Sequence, residues 1–123
     1  MTAVSIEDMR QHVSKLCREH QITCHEVKRP NQAYALREAD ESGIPLIRSA
    51  VSYATAMHEI GHHLGRRQTN RSVLVREREA WQWARSNALR GIWTPAMERS
   101  ARRALEWYEQ RAADFDRKRD RNA

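Results

Sequence analysis

Residues 56–65 read AMHEIGHHLG. His58, Glu59 and His62 fit the spacing H-E-x-x-H, and His63 follows directly. On an α-helix, residues i and i+4 lie one above the other. His58 and His62 therefore present both imidazoles to one ion. Glu59 is turned by about 100° from His58, beside such an ion, where it can take a proton from a bound water. Ala54, Ala56, Met57, Ile60 and Leu64 surround these polar groups with apolar or small side chains. Burying ionisable groups without partners is costly, and a zinc ion with its water would offset that cost. The bare motif is a weak signal; this setting strengthens it.

A catalytic zinc takes three protein ligands and keeps one open position. No histidine follows His63, so the third donor is expected to be an acid on a later helix. VREREAWQWA, residues 75–84, offers Glu77 and Glu79. Glu77 shares a helix face with Ala80, Ala84 and Ala88, small residues that allow close approach to the motif helix. Glu79 shares its side with Trp83 and Ser86. The small face favours Glu77, with Glu79 as the alternative. His63 points to another face and reads as a surface or supporting residue.

Outward from the motif, the pattern predicts an α+β fold. Ser5 caps a first helix over about residues 5–19, with Glu7 and Asp8 in its first turn. ITCHEVKR, AYALREA and IPLIRSA read as two or three short antiparallel strands, with DESG at 40–43 as a turn. Pro45 places the last strand at an edge or restricts pairing at its start. The motif helix spans 50–64 and ends at Gly65, a suitable residue for a helix C-terminus. Gly61 leaves room beside the ion. RRQTNR is a loop, and residues 73–90 form a third helix stopped by Gly91. Thr94 and Pro95 start a fourth. Its apolar stripe is Met97, Ala101, Leu105, Tyr108, Ala112 and Phe115. The stripe is expected to pack on the domain, with fraying after about residue 116; a partner-binding or dimerising helix is the alternative. Trp81, Trp83, Trp93 and Trp107 read as core. Tyr34, Tyr53 and Tyr108 read as packing residues, and none is assigned as a donor to the reaction. Either AYALREA or IPLIRSA could be an edge strand that takes up a substrate segment.

The chain has 123 residues, which predicts a single domain over 1–123. The net charge is +6, and 19 of the 22 basic residues are Arg. Acids interleave with them, so they read as solvated helix faces and direct nucleic-acid binding is disfavoured. No stretch is apolar enough to span a membrane, and the first residues do not read as a secretory signal. A cytoplasmic protein is expected, with Cys17 and Cys24 as free thiols.

HEIGH at 58–62 and EREAWQWA at 77–84 together resemble the ImmA/IrrE-type metallopeptidases. In that family H-E-x-G-H is followed on a later helix by E-x-x-A-N-x-F-A. The resemblance extends over about residues 5–95, with Trp81 standing where the family usually has Asn. It implies a small zincin-like core, Zn2+ as cofactor, His58, His62 and Glu77 as ligands and Glu59 as catalytic base. It also implies a protein substrate, a helix-turn-helix repressor of the kind carried by mobile elements or used in stress responses. The alternative is a zincin-fold module that binds a repressor or another partner without cutting it. The oligomeric state stays open.

Overall fold

The computed structural model describes residues 4–121. In chain order the elements are α1 (Ile6–Glu19), β1 (Thr23–Val27), β2 (Tyr34–Leu36), β3 (Glu41–Pro45), α2 (Ala50–Leu64), α3 (Val73–Asn87) and α4 (Pro95–Arg121). Short 3₁₀ turns occupy Pro30–Gln32, Arg37–Ala39 and Leu89–Gly91. The architecture is α+β, as the pattern predicts.

The helices start where side chains replace the missing turn. Ser5 Oγ accepts from the Asp8 N–H, and Asp8 Oδ2 accepts from the Ser5 N–H, a reciprocal cap that satisfies two orphan donors. Ser49 Oγ accepts from the Ser52 N–H ahead of α2, and Thr94 Oγ1 accepts from the Met97 N–H at the start of α4. From Ser52 to Gly61 only Thr55 of α2 escapes full burial. A helix enclosed on nearly all sides is the centre of a fold, not its surface. Tyr53, Ala54, Ala56, Met57 and Ile60 form the heart of the core, joined by Met9 and Val13 of α1, Trp81 and Ala84 of α3, and Met97, Ala101 and Leu105 of α4.

The sheet differs from the all-antiparallel expectation. Its order is β1-β3-β2, with β1 parallel to β3 and β2 antiparallel to it. A parallel pair needs a crossover, and residues 28–40, including β2, supply it. β3 takes the centre because Ser42, Gly43 and Pro45 are buried. Pro45 therefore lies on the central strand, at its last residue. The turn expected over 40–43 contracts to Asp40, in left-handed conformation (φ 50°). Gly43 belongs to the strand instead, because a Cβ there would collide with the Tyr34 ring and Val27.

Four further expectations change. Cys17 and Cys24 are disulfide-bonded, with no free cysteine among the described residues. The chain reverses through Gln21 (φ 56°) after α1 and returns as β1, which brings the two Cα atoms to 6.8 Å. α3 ends at Asn87 rather than residue 90, because Ala88 turns extended (ψ 142°) and the Leu89 N–H donates to the Tyr53 hydroxyl. α4 continues to Arg121 past the expected fraying point. Ion pairs of Asp114 with Arg117 and Asp116 with Arg119 lie along this last stretch. Gly65 does end α2, but with φ −71° and ψ 166° it is not left-handed. Glycine is needed there for space, since a Cβ would lie 2.5 Å from the Gly61 carbonyl oxygen and 3.2 Å from that of Glu79.

Candidate metal centre

α2 and α3 pack closely, and Gly61 is the reason. A Cβ at position 61 would sit on the Ala80 carbonyl oxygen and 3.1 Å from the Ala80 C and Cα. The expectation that Gly61 clears space beside an ion is thus corrected: it clears space for the α3 backbone. Glu77 lies one turn before Ala80, so this approach carries its carboxylate onto the two histidines.

His58 Nε2 lies 2.6 Å and His62 Nε2 3.2 Å from Glu77 Oε2. One nitrogen from each histidine and one oxygen of Glu77 all lie within 4.8 Å of one another. His58 and Glu77 are buried and His62 half-buried. Glu79 turns away and pairs with Arg67 at 2.5 Å. Glu59 Oε1 lies 3.2 Å from His58 Nδ1, on the far side of that ring from Glu77. Burial alone would lower the His58 pKa, but the hydrogen bonds to Glu59 and Glu77 outweigh it and push it up to about 9. For Glu77, burial raises the pKa, and the hydrogen bonds to His58 and His62 carry it well below the usual carboxylate range.

Side chains that no motif announces hold the donors in place. Gln68 Nε2 donates to the carbonyls of Arg66 (3.1 Å) and Arg76 (2.9 Å), which turns its Oε1 toward His62 Nδ1 at 2.9 Å. With its Nδ1–H donating to Gln68, His62 is left with Nε2 as the ring nitrogen that faces Glu77 and would meet an ion there. Trp81 stacks on His58 with ring centroids 4.2 Å apart and planes 13° from parallel, so this core tryptophan is also a platform for a site residue. His63 bonds Ser42 Oγ at 2.8 Å through Nε2 and ties α2 to β3.

The cluster opens into a cleft of about 380 Å³ lined by His58, Glu59, His62 and Glu77 together with Arg76, Arg37, Tyr34, Ala35 and Tyr108. β2 borders it and, among the described residues, pairs only with β3, which makes β2 an edge strand. IPLIRSA, the other edge candidate, begins inside the central strand. Of the three tyrosines, Tyr53 lies in the core, its hydroxyl hydrogen-bonded to His12 Nδ1 at 2.6 Å. Tyr34 donates to Glu41 at 3.0 Å. Tyr108 faces the cleft from α4, and burial followed by the charge of Glu77 pushes its hydroxyl up to about 12. Gln68 sits in a loop and carries no sequence signal for its part. Tyr108 is marked only by its place in the α4 stripe.

Two imidazoles and a carboxylate, buried and hydrogen-bonded from behind, form a donor set that could hold a metal ion. No protein-family model matches the chain, and no curated protein or solved structure matches it. No helix among the described residues is long and apolar enough to cross a membrane.

Proposed function

We propose that the chain is a zinc-dependent endopeptidase that cleaves a regulatory protein. The observation that carries this reading is the convergence of His58 Nε2, His62 Nε2 and Glu77 Oε2 at the floor of a cleft that Glu59 also lines. Two nitrogen donors and one oxygen donor suit zinc with an open position. A zinc ion held by His58, His62 and Glu77 would supply a Lewis acid and a water of lowered pKa.

The chain's own residues do the rest. Glu59 lines the same cleft and is the base of this reading: released from His58 Nδ1, it accepts a proton from the attacking water and returns it to the leaving nitrogen. Gln68 keeps the His62 ring oriented, and Trp81 holds the plane of His58. Tyr108 keeps its proton at neutral pH and can donate to the substrate carbonyl as charge develops on its oxygen. The exposed side of β2 offers backbone groups to an extended segment, which brings a scissile bond along the cleft. The resemblance to ImmA/IrrE-type peptidases makes a helix-turn-helix repressor the proposed substrate. The cytoplasm, where such a repressor acts, is the proposed compartment, although the Cys17–Cys24 bond is of a kind that a reducing compartment disfavours.

Replacing Glu59 by Gln tests the reading. E59Q should retain bound zinc and lose cleavage, while H58A should lose both. Cleavage that survives E59Q at the wild-type rate, or a wild-type chain that takes up no zinc, would refute it.

A further inference from the structure

Tyr108 belongs to two hollows. It lines the cleft of His58 and Glu77, and it lines a larger groove of about 780 Å³ between the start of α3 and the second half of α4. Val73 and Leu74 form one wall; Trp107, Ala112 and Phe115 form the other. Tyr108, Ala112 and Phe115 stand at i, i+4 and i+7, one stripe of the helix. Met97, Ala101 and Leu105 extend the same stripe into the core. Beyond Leu105 the cover thins: Tyr108 and Ala112 are half-buried and Phe115 is 66% exposed, and beside them Trp107 of α4 and Val73 of α3 are 52% and 46% exposed. The stripe expected to pack on the domain does so fully up to Leu105, partly at Tyr108 and Ala112 and not at Phe115, and Trp107, expected in the core, is exposed. Single exposed apolar residues are ordinary, but a contiguous apolar groove that runs into a polar cleft is not.

The groove is also positively biased. Arg71 and Arg111 flank it against a single acid, Asp116. The Arg111 guanidinium lies 3.5 Å from the Trp107 ring centroid. The first turn of α3 contains no acidic residue, so the positive end of its dipole is not neutralised there.

We propose that this groove docks an acidic amphipathic helix of the protein substrate, next to the cleft that receives an adjoining segment. The proposal rests on the peptidase reading, because Tyr108 makes the two hollows one surface. Both walls are helical, and helices have no free ladder of N–H and C=O groups to pair with an extended peptide. A bound helix satisfies its own backbone. From Trp107 to Phe115 the wall is about 12 Å long, matching two turns of a partner whose apolar residues recur at i, i+3, i+4 and i+7. Glutamates on that partner would face Arg71 and Arg111. The outer part of α4 carries Asp114, Asp116 and Asp120 among Arg117, Lys118, Arg119 and Arg121, so a second copy would offer Arg71 and Arg111 a mixed surface rather than an acidic one, and the same acids interrupt the basic surface that an anionic membrane would need.

The test uses the full chain carrying E59Q, with zinc supplied. The probe is a fluorescently labelled peptide of about 18 residues, with Leu and Phe at i, i+3, i+4 and i+7 and Glu elsewhere. A second peptide carries Lys in place of Glu. The acidic peptide should bind one-to-one by anisotropy, and F115D and R111E should each weaken it by about tenfold or more. R111E should regain binding to the Lys peptide. The melting temperature of F115D should stay near that of its parent, since Phe115 is mostly exposed. Equal binding of both peptides, or binding indifferent to F115D, overturns the proposal. So does a dimer in sedimentation that F115D dissociates, or F115D-sensitive binding to phosphatidylglycerol vesicles without peptide binding. A chain that binds the acidic peptide but takes up no zinc removes the peptidase reading and leaves the groove. Zinc uptake without peptide binding removes the groove alone.

Discussion

Gly61→Ala adds one methyl group at the tightest approach between α2 and α3. The new Cβ would lie 3.1 Å from the Ala80 C and Cα and closer still to the Ala80 carbonyl oxygen. Carbon atoms in contact rest about 3.5–4.0 Å apart, so the carbon shortfall alone is about 0.4 Å, and the oxygen needs more. The obstacle is backbone, so no rotamer change relieves it. α3 must move outward by on the order of 0.5–1 Å, and Glu77, one turn from Ala80, moves with it. Overpacking of this kind costs about 1–3 kcal/mol, which for a chain of this size lowers the melting temperature by roughly 3–10 °C. Displacing a ligand is also expected to weaken zinc by about 10–100-fold, the range seen when a ligand's support is lost. The assay pairs thermal melting with zinc competition against a chromophoric chelator. A80G should not rescue G61A, because the contact is to the main chain. Wild-type stability and zinc affinity in G61A would refute the account of how Glu77 reaches the histidines.

Gln68→Ala should weaken zinc by about 10–100-fold while leaving the far-ultraviolet circular dichroism unchanged; the chelator competition checks it. Glu98 accepts from Arg85 Nε and Trp93 Nε1, each at 2.8 Å, which joins α3 to the start of α4. Arg85, the main cause, holds the Glu98 carboxyl below its ordinary value of 4.5. A lowered folded pKa gives stability that is present above 4.5 and lost as the pH falls through the folded value. E98Q should therefore cost about 0.5–1 kcal/mol at neutral pH, modest because the pair is partly solvated, and the difference should shrink as melts are run at increasingly acid pH. Cys17 and Cys24, seven positions apart, close a short loop worth about 2 kcal/mol by chain entropy. C17S/C24S, or reduction of the parent chain, should lower denaturant stability by about that much.

The helices were legible because their causes are local. Ser5 and Thr94 cap within three residues, and the 3.6-residue period marks the buried face of α1. The α3 boundary was missed for the opposite reason. Its end depends on the Tyr53 hydroxyl, 36 positions earlier in the chain. The sheet was harder still, since Gly43 and Pro45 in ESGIP look like punctuation until the Tyr34 ring is seen lying over Gly43. Within the site, His58, Glu59 and His62 were readable from one helix turn, and the alanine face singled out Glu77 over Glu79. Gln68 had no such mark, because its role depends on two backbone carbonyls that only the folded loop brings to its amide.

By itself, the sequence determined which residues share a helix face, since the geometry of a turn is the same wherever the helix lies. That was enough for the α+β class and for the pairing of His58 with His62. Tertiary structure alone decided what meets across the chain: the parallel pairing of β1 with β3, the Cys17–Cys24 bond, the turning of Glu79 away to Arg67, and the arrival of Tyr108 at the cleft. It also decided that the α4 stripe runs beyond the core that covers its first half. These contacts depend on packing between distant segments, where one methyl group at Gly61 would be enough to move a ligand.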